Sequence, residues 1–313
     1  MKKEANFISA VASVDEDNGE LIPFLTLLEN VITSHFAHGE LILMVSMGAE
    51  RVRNEIRKYF SEHPTRLLIS IVTMDSTAGT EKIMNAGRDL AIGDYVYEFD
   101  DIHVDYDAGV ILEAYEKCLA GNDIVTARND KRSRFTSRLF YRIYNRMAGE
   151  ERCLGPSTFR ILSRRAINRV KSMGIFIPYR KAVYENAGLT STQLVYRSTD
   201  PGSRSRHSLR QERSGIAVES FIYFTDLMER ISLAICGIFF AIAVFVAIYV
   251  IVSFFSDEHL LSGWVSIMGF LSIGFTGLFG LLTIIIKYLS VLVDLTFRKQ
   301  RSLIRDIEKI SGV

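Results

Sequence analysis

The stretch Gly93-Asp94-Tyr95-Val96-Tyr97-Glu98-Phe99-Asp100-Asp101 carries an apolar strand out into two adjacent carboxylates. Acids at a strand end can hold a hard divalent cation, which in turn binds a diphosphate. Taken alone, an Asp-Asp pair is more often a solvated acidic turn than a cation site. Asp105 and Asp107 add acid nearby without deciding between the two. A second chemical feature is basic. Between Arg128 and Arg213 stand Lys131, Arg132, Arg134, Arg138, Arg142 and Arg146, then Arg204, Arg206 and Arg210, although the whole chain has a formal net charge of only +1. A basic belt ahead of an apolar segment suits anionic headgroups or a lipid phosphate. No nucleic-acid motif accompanies the charges, so nucleic acid is not an expected partner. Cys118, Cys153 and Cys236 are odd in number and far apart, which fits neither a disulfide framework nor a zinc site.

The elements that must position these groups alternate. Residues 7–14 read as a buried strand, followed by the polar loop Asp15-Glu16-Asp17-Asn18-Gly19. Residues 21–35 have helical apolar spacing at Leu21, Phe24, Leu25, Leu28 and Val31. Strands are expected at 40–46, 67–73, 95–99 and 123–127, with helices at 49–63, 80–91 and 108–119 between them. Residues 155–170 read as a short strand and helix, 183–196 contain another strand, and 198–213 form an Arg- and Ser-rich loop. Strands alternating with helices imply a mostly parallel sheet covered on both faces. Sites in such sheets lie at the carboxyl ends of the strands, which is where Asp100 and Asp101 fall.

The end of the sequence is of a different kind. Residues 231–255 and 260–286 carry no charged side chain, and only Ser256-Asp257-Glu258-His259 separates them. About 20 apolar helical residues cross a bilayer core, so two transmembrane helices joined by a tight turn are expected. Arg230 precedes the first run, Lys287, Arg298, Lys299, Arg301 and Arg305 follow the second, and the turn between holds two acids. The positive-inside bias then puts both termini in the cytoplasm. Met1 to Asn6 leads into a short apolar stretch without a signal-peptide pattern. The expected organisation is a soluble α/β domain over 1–213 and an amphipathic interfacial helix over 214–230. Two membrane helices follow within 231–289, and a cytoplasmic basic tail covers 290–313. An inner-membrane, multi-pass location follows.

Several segments together resemble the family 2 glycosyltransferases of the GT-A fold, a Rossmann-like, mostly parallel architecture. Within them the chain looks most like the polyprenyl-phosphate glycosyltransferases, the group of bactoprenol glucosyltransferases and dolichol-phosphate mannose synthases. Gly79-Thr80-Glu81-Lys82-Ile83-Met84-Asn85-Ala86-Gly87 is similar to the group's Gly-Lys-x-x-Ala-x-x-x-Gly stretch. Asp100 falls where the first acid of Asp-x-Asp stands. The run from Ser137 through Arg138, Tyr141 and Arg142 to Asn145 resembles Ser-x-x-Phe-Tyr-Arg-x-x-Asn. The Phe159-Arg160 segment resembles Phe-Arg-Leu-x-Ser-Arg, and Gly202 to Leu209 resembles the Gly-x-Ser-Lys-Tyr-Ser loop.

The resemblance implies transfer of a sugar from a nucleotide-sugar to a polyprenyl phosphate at the cytoplasmic leaflet. It implies Mg²⁺ or Mn²⁺ held by Asp100 with Asp101, and catalytic roles for Asp100, Asp101 and Arg160. Donor binding would fall to Asp15, Glu16, Gly79, Lys82 and Asp100. Contacts to the lipid phosphate would fall to Arg138, Tyr141, Arg142, Ser205, Arg206 and His207, and the group commonly assembles as homo-oligomers. The chain also departs from the group. Ser46-Met47-Gly48-Ala49 replaces Asp-Asp-Gly-Ser, Ile102 stands at the second acid of Asp-x-Asp, and Thr158 replaces the acid before Phe-Arg. These departures keep a second function open, a non-catalytic glycosyltransferase-like scaffold or regulatory membrane subunit.

Overall fold

A computed structural model describes residues 3–14, 19–74, 80–130, 157–173, 180–199 and 304–311, with scattered positions between 234 and 292. The chain divides into two compact units, Met1–Ile216 with Gln300–Val313, and Ala217–Lys299.

The first unit follows the alternation read from the sequence. It contains β1 (Glu4–Val14), α1 (Leu21–His35), β2 (Phe36–Ser46), α2 (Glu50–Glu62), β3 (Leu68–Met74), α3 (Thr80–Leu90), β4 (Tyr95–Phe99), α4 (Ala108–Leu119) and β5 (Ile124–Asn129). Then come β6 (Phe159–Ser163), α5 (Arg164–Ser172), α6 (Arg180–Asn186), β7 (Ser191–Tyr196) and β8 (Ile304–Ser311). The described strands form one sheet in the order β7-β5-β6-β4-β1-β2-β3-β8. The β1–β2, β1–β4, β2–β3 and β5–β7 pairs are parallel, while β6 and β8 run antiparallel to their neighbours. The sheet is thus mostly parallel, as expected.

The central strands are apolar throughout because both of their faces are covered. Ile8, Ala10, Val11, Ala12 and Val14 of β1, with Leu41, Leu43 and Met44 of β2, are fully buried. Helix α1 turns Leu21, Phe24, Leu25, Leu28, Val31 and Ile32 inward, the stripe its spacing announces. On the other face α3 lies almost in contact with the sheet. A Cβ at Gly87 would meet Val11 Cγ1 at 2.5 Å and Met44 Sδ at 2.9 Å, so only a bare backbone lets the helix approach this closely. Asp107 caps α4 by accepting from Val110 N at 3.1 Å. The chain order reverses direction between β1 and β4, which makes the gap at their carboxyl ends the topological switch point of the sheet.

The strand expected within 183–196 is present, but two elements were not anticipated. Within 183–196 the chain first completes α6, a helix that begins at Arg180, and only then forms a strand at Ser191. The segment read as a basic tail contains β8, which closes the sheet edge antiparallel to β3 with Leu68 opposite Ser311 and Met74 opposite Ile304. Its sequence sets Ile304, Ile307 and Ile310 at every third position with two charged residues between each, a pattern a solvated tail shares.

In the second unit every described position is helical. The Phe239 ring lies against Gly277, where an added Cβ would overlap it. Among the described residues no helix is long and apolar enough to cross a membrane. The interfacial helix expected at 214–230 and most of both apolar runs lie outside the described residues.

Candidate active site

The site grows from the geometry of β4. Alternation along this strand sends Tyr97 and Phe99 to one face, where Phe99 packs edge-on against Phe24 at 5.3 Å and tilted against Phe159 at 5.4 Å. The same alternation sends Glu98 to the other face, where it is wholly buried. A buried carboxylate in an apolar strand must be paired. Strand β6 supplies the partner, because its register sets Arg160 directly opposite Glu98. Arg160 Nη1 donates to Glu98 Oε2 at 3.0 Å, and Nη2 donates to Asp100 Oδ2 at 2.8 Å.

Helix α6 brings a second guanidinium that the sequence reading missed. Arg180 is wholly buried. Its Nε donates to Glu81 Oε2 at 2.8 Å, Nη1 to Glu98 Oε2 at 2.8 Å and Nη2 to Asp100 Oδ1 at 2.5 Å. Its backbone N–H also donates to Glu81, at 3.0 Å. Tyr184, one turn further along α6, donates to Glu98 Oε1 at 2.7 Å and accepts from Arg88 Nη1 at 3.1 Å. Arg160 lies over the Tyr184 ring, 5.8 Å from its centroid. Three acids (Glu81, Glu98, Asp100) and three arginines (Arg88, Arg160, Arg180) therefore interlock beneath the carboxyl end of β4.

The electrostatics follow from that inventory. Burial opposes ionisation of Asp100, but Arg160, Arg180 and Lys181 outweigh it and hold its carboxyl well below the usual range. Burial and the adjoining Glu98 charge push the Tyr184 phenol up. Asp100 is thus a permanent anion, aimed by two forks and 16% exposed at its side chain.

The remaining expected residues divide. Asp101 adjoins Asp100 in the turn and accepts from His103 N at 3.0 Å. Ile102, at the second position of Asp-x-Asp, is 1% exposed and packs into the core. The acid available beside Asp100 is therefore Asp101. Lys82 stands in the first turn of α3, next to Glu81. The turn after β2 is closed by Met47 N to Met74 O at 2.9 Å, and Arg53 Nη2 reaches Met47 O at 3.3 Å. Asp15, Glu16, Gly79, Arg138, Tyr141, Arg142, Ser205, Arg206 and His207 lie outside the described residues.

A second polar cluster borders Thr158. Thr158 Oγ1 donates to Tyr196 Oη at 2.7 Å, and Tyr196 Oη donates to Asp105 Oδ1 at 2.6 Å. Asn129 Nδ2 and Ser198 Oγ donate to the other oxygen of Asp105, at 2.8 and 3.2 Å. Burial and Asp105 push the Tyr196 hydroxyl up. Asp105, which seemed ambiguous in sequence, ties the segment after β4 to β5 and β7.

Glu98 carried a signal that was there to be used, a lone acid inside a strand of apolar and aromatic residues. Arg180, Tyr184 and Arg88 carried none, since charged and aromatic residues in helices are ordinary.

Among the described residues no three His, Cys, Asp or Glu side chains cluster to hold a cation by themselves. No protein-family model matches the chain. An uncharacterised glycosyltransferase of Synechocystis sp. is 27% identical over 190 residues, 58% of this chain and 57% of that protein. The chain thus spans less than two thirds of that relative's length. Glucosyl-3-phosphoglycerate synthase from Mycobacterium tuberculosis, solved with Mn²⁺, UDP-glucose and phosphoglyceric acid, superposes with a TM-score of 0.52 at 14% identity. That match covers 69% of this chain and 78% of the synthase. A mannosyltransferase from Pyrobaculum calidifontis, solved with GDP-mannose and Mn²⁺, gives a TM-score of 0.49 at 11% identity over 95% of this chain and 89% of that one. The likeness to the synthase shows the fold of the first unit, the mixed, mostly parallel sheet of the GT-A glycosyltransferases.

Proposed function

We propose that the chain is a glycosyltransferase of the membrane surface that moves a sugar from a nucleotide-sugar to a polyprenyl phosphate at the cytoplasmic leaflet. The observation that carries this reading is Asp100, an ionised carboxylate at the carboxyl end of β4 and at the switch point of a GT-A sheet, oriented by Arg160 and Arg180. The described curated relative bears the glycosyltransferase name, and the mycobacterial synthase holds UDP-glucose with Mn²⁺.

A divalent cation, Mg²⁺ or Mn²⁺, belongs to the proposal. The donor set fits it: an ionised carboxylate offers about four acceptor positions, the two arginines use two of them, and Asp101 adjoins. When bound with a donor diphosphate, such a cation offsets the charge that gathers on the leaving group. The protein's own part is positional. Arg160 and Arg180 fix both oxygens of Asp100, and Glu98 and Glu81 in turn fix the arginines. Thr158 offers no general base, and a phosphate acceptor, already anionic, needs none.

The non-catalytic reading draws on one observation, the turn at Ser46-Met47-Gly48, which has no carboxylate to hold a nucleotide. Titration of the purified chain with UDP-, GDP- and dTDP-sugars, with and without Mn²⁺, separates the two. Metal-dependent binding of one donor, lost in Asp100→Asn, is expected of the enzyme. A folded protein that binds polyprenyl phosphate but no donor would establish the scaffold.

A further inference from the structure

Arg160 and Arg180 fix Asp100, but a cation shared with Asp101 needs both carboxylates in place at once. The turn that carries them is tied down from a second direction. Ile102 is buried in the core and anchors its middle. His103 N donates to Asp101 Oδ1 at 3.0 Å, the local bond by which an aspartate shapes its own turn. The His103 ring then meets Glu20, with Nδ1 2.9 Å from Oε1. A carboxylate accepts, so Nδ1 is the donor of this pair.

Glu20 comes from across the site. It is the N-cap of α1, the helix that follows β1, whereas His103 follows β4. The pair therefore bridges the two chain segments that leave the sheet on either side of its switch point. An N-cap side chain ordinarily accepts from the first turn of its own helix, yet Glu20 makes no such bond to α1. The two side chains are 33% and 35% exposed, so the contact adds little to the stability of the domain.

A competing partner for Asp101 is buried nearby. Tyr106 is 3% exposed, stacked on Phe99 and packed against Phe159 and Tyr196. Among the described residues its hydroxyl has no hydrogen-bond partner. A buried donor left unpaired is costly. Burial pushes this phenol up, and the Asp101 charge adds to it ahead of Tyr196 and Asp105. Asp101 is thus the carboxylate that bears on the unpaired hydroxyl most.

We infer, on the reading of Asp100 and Asp101 as the ligands of a divalent cation, that Glu20 and His103 are positioning residues for that cation. Their bond across the switch point holds Asp101 beside Asp100, against the pull of the Tyr106 hydroxyl. Neither of them touches the cation. With the bond broken, Asp101 turns inward to accept from Tyr106 Oη and leaves the cation to Asp100 alone.

Mn²⁺ binding tests this. The detergent-solubilised full chain is titrated with Mn²⁺, alone and with UDP or GDP, and the free ion is counted by electron paramagnetic resonance. Asp100→Asn is the reference for loss of the site. Removing a group that orients a metal ligand costs about 10–100-fold in affinity, and Glu20→Ala is expected to weaken binding about tenfold. Its Tm should stay within about 2 °C of wild type. Glu20→Gln, which still accepts from Nδ1, is expected to keep most of the affinity. Tyr106→Phe in the Glu20→Ala background removes the inward partner and is expected to return affinity toward wild type, a rescue that a merely structural role would not give. Equal affinity in wild type and Glu20→Ala would overturn the inference, as would a loss that Tyr106→Phe deepens or leaves unchanged. Either result leaves the cation reading standing. A folded wild type that binds Mn²⁺ in none of these conditions, or no better than Asp100→Asn, would instead refute that reading and the positioning roles with it.

Discussion

Replacing Arg180 by Ala removes the hub of the buried network. The guanidinium serves three carboxylates, Glu81, Glu98 and Asp100, at 2.5–2.8 Å, and its side chain is 0% exposed. Deleting one partner of a buried pair costs about 3–5 kcal/mol, because the other is left charged and unpaired. Two features place this case at the low end. Arg160 still holds Glu98 and Asp100, and Glu81 and Asp100 are 14% and 16% exposed, so water can reach both. A loss of ~3 kcal/mol in a domain of this size lowers Tm by roughly 6–12 °C. The effect has a pH signature. Asp100 titrates below its ordinary range when folded, so its contribution is full above the unfolded carboxyl value of about 3.9 and is lost as pH falls through the lower folded value. Without Arg180 the folded value moves back up. The gap between wild type and variant is therefore full at pH 7 and narrows below about pH 4. Circular dichroism melts of the detergent-solubilised chain at the two pH values measure this. A variant melting within about 2 °C of wild type at pH 7, a change of under roughly 1 kcal/mol, would refute the view that Arg180 holds the network together. Arg180→Lys is expected to recover only part of the loss, because an ammonium has no planar fork to serve three acids.

Other consequences are smaller or more local. Tyr196→Phe removes the hydroxyl between Thr158 and Asp105 and is expected to lower stability by about 1–3 kcal/mol, read as a shift in the urea midpoint at unchanged slope. Gly87→Val drives a side chain into Val11 and Met44 and is expected to cost about 1–3 kcal/mol or more by overpacking, measured as reduced Tm. Glu308→Gln weakens a partly exposed ion pair with Arg57. Its effect should stay below about 1 kcal/mol and shrink with added salt, whereas Ile310→Asp should release β8 and make a thiol placed by Lys309→Cys react faster with a maleimide.

How much of this was legible in the sequence depended on how local the cause was. Helices α1 and α4 and strand β4 have the bounds their apolar spacing gives, because side chains facing one core set them. Strand β8 was not legible. Its partner β3 lies more than 200 residues away, and an isoleucine at every third position among charges has no strand period and reads as a basic tail. Asp100 stood out as a carboxylate at a strand end, and Arg160 through the resemblance of its segment. That the two are joined could not be read, since it follows from the β4–β6 register. Helix α6 was not anticipated because Arg180–Asn186 is short and has no apolar period of its own; its fixed point is the ion pairing of Arg180 with three distant acids. The absent acid at Ile102 is explained by packing, as that side chain fills the core while Asp101 stays in the turn.

The most direct test of the central claim is transfer itself. The full chain in proteoliposomes containing polyprenyl phosphate would be given radiolabelled nucleotide-sugars with Mn²⁺ or with EDTA, and lipid-linked label would be counted. Label from one donor, dependent on the metal and absent in Asp100→Asn, is the expected result. Equal labelling by Asp100→Asn, or none from any donor by a protein that melts normally, would contradict the assignment.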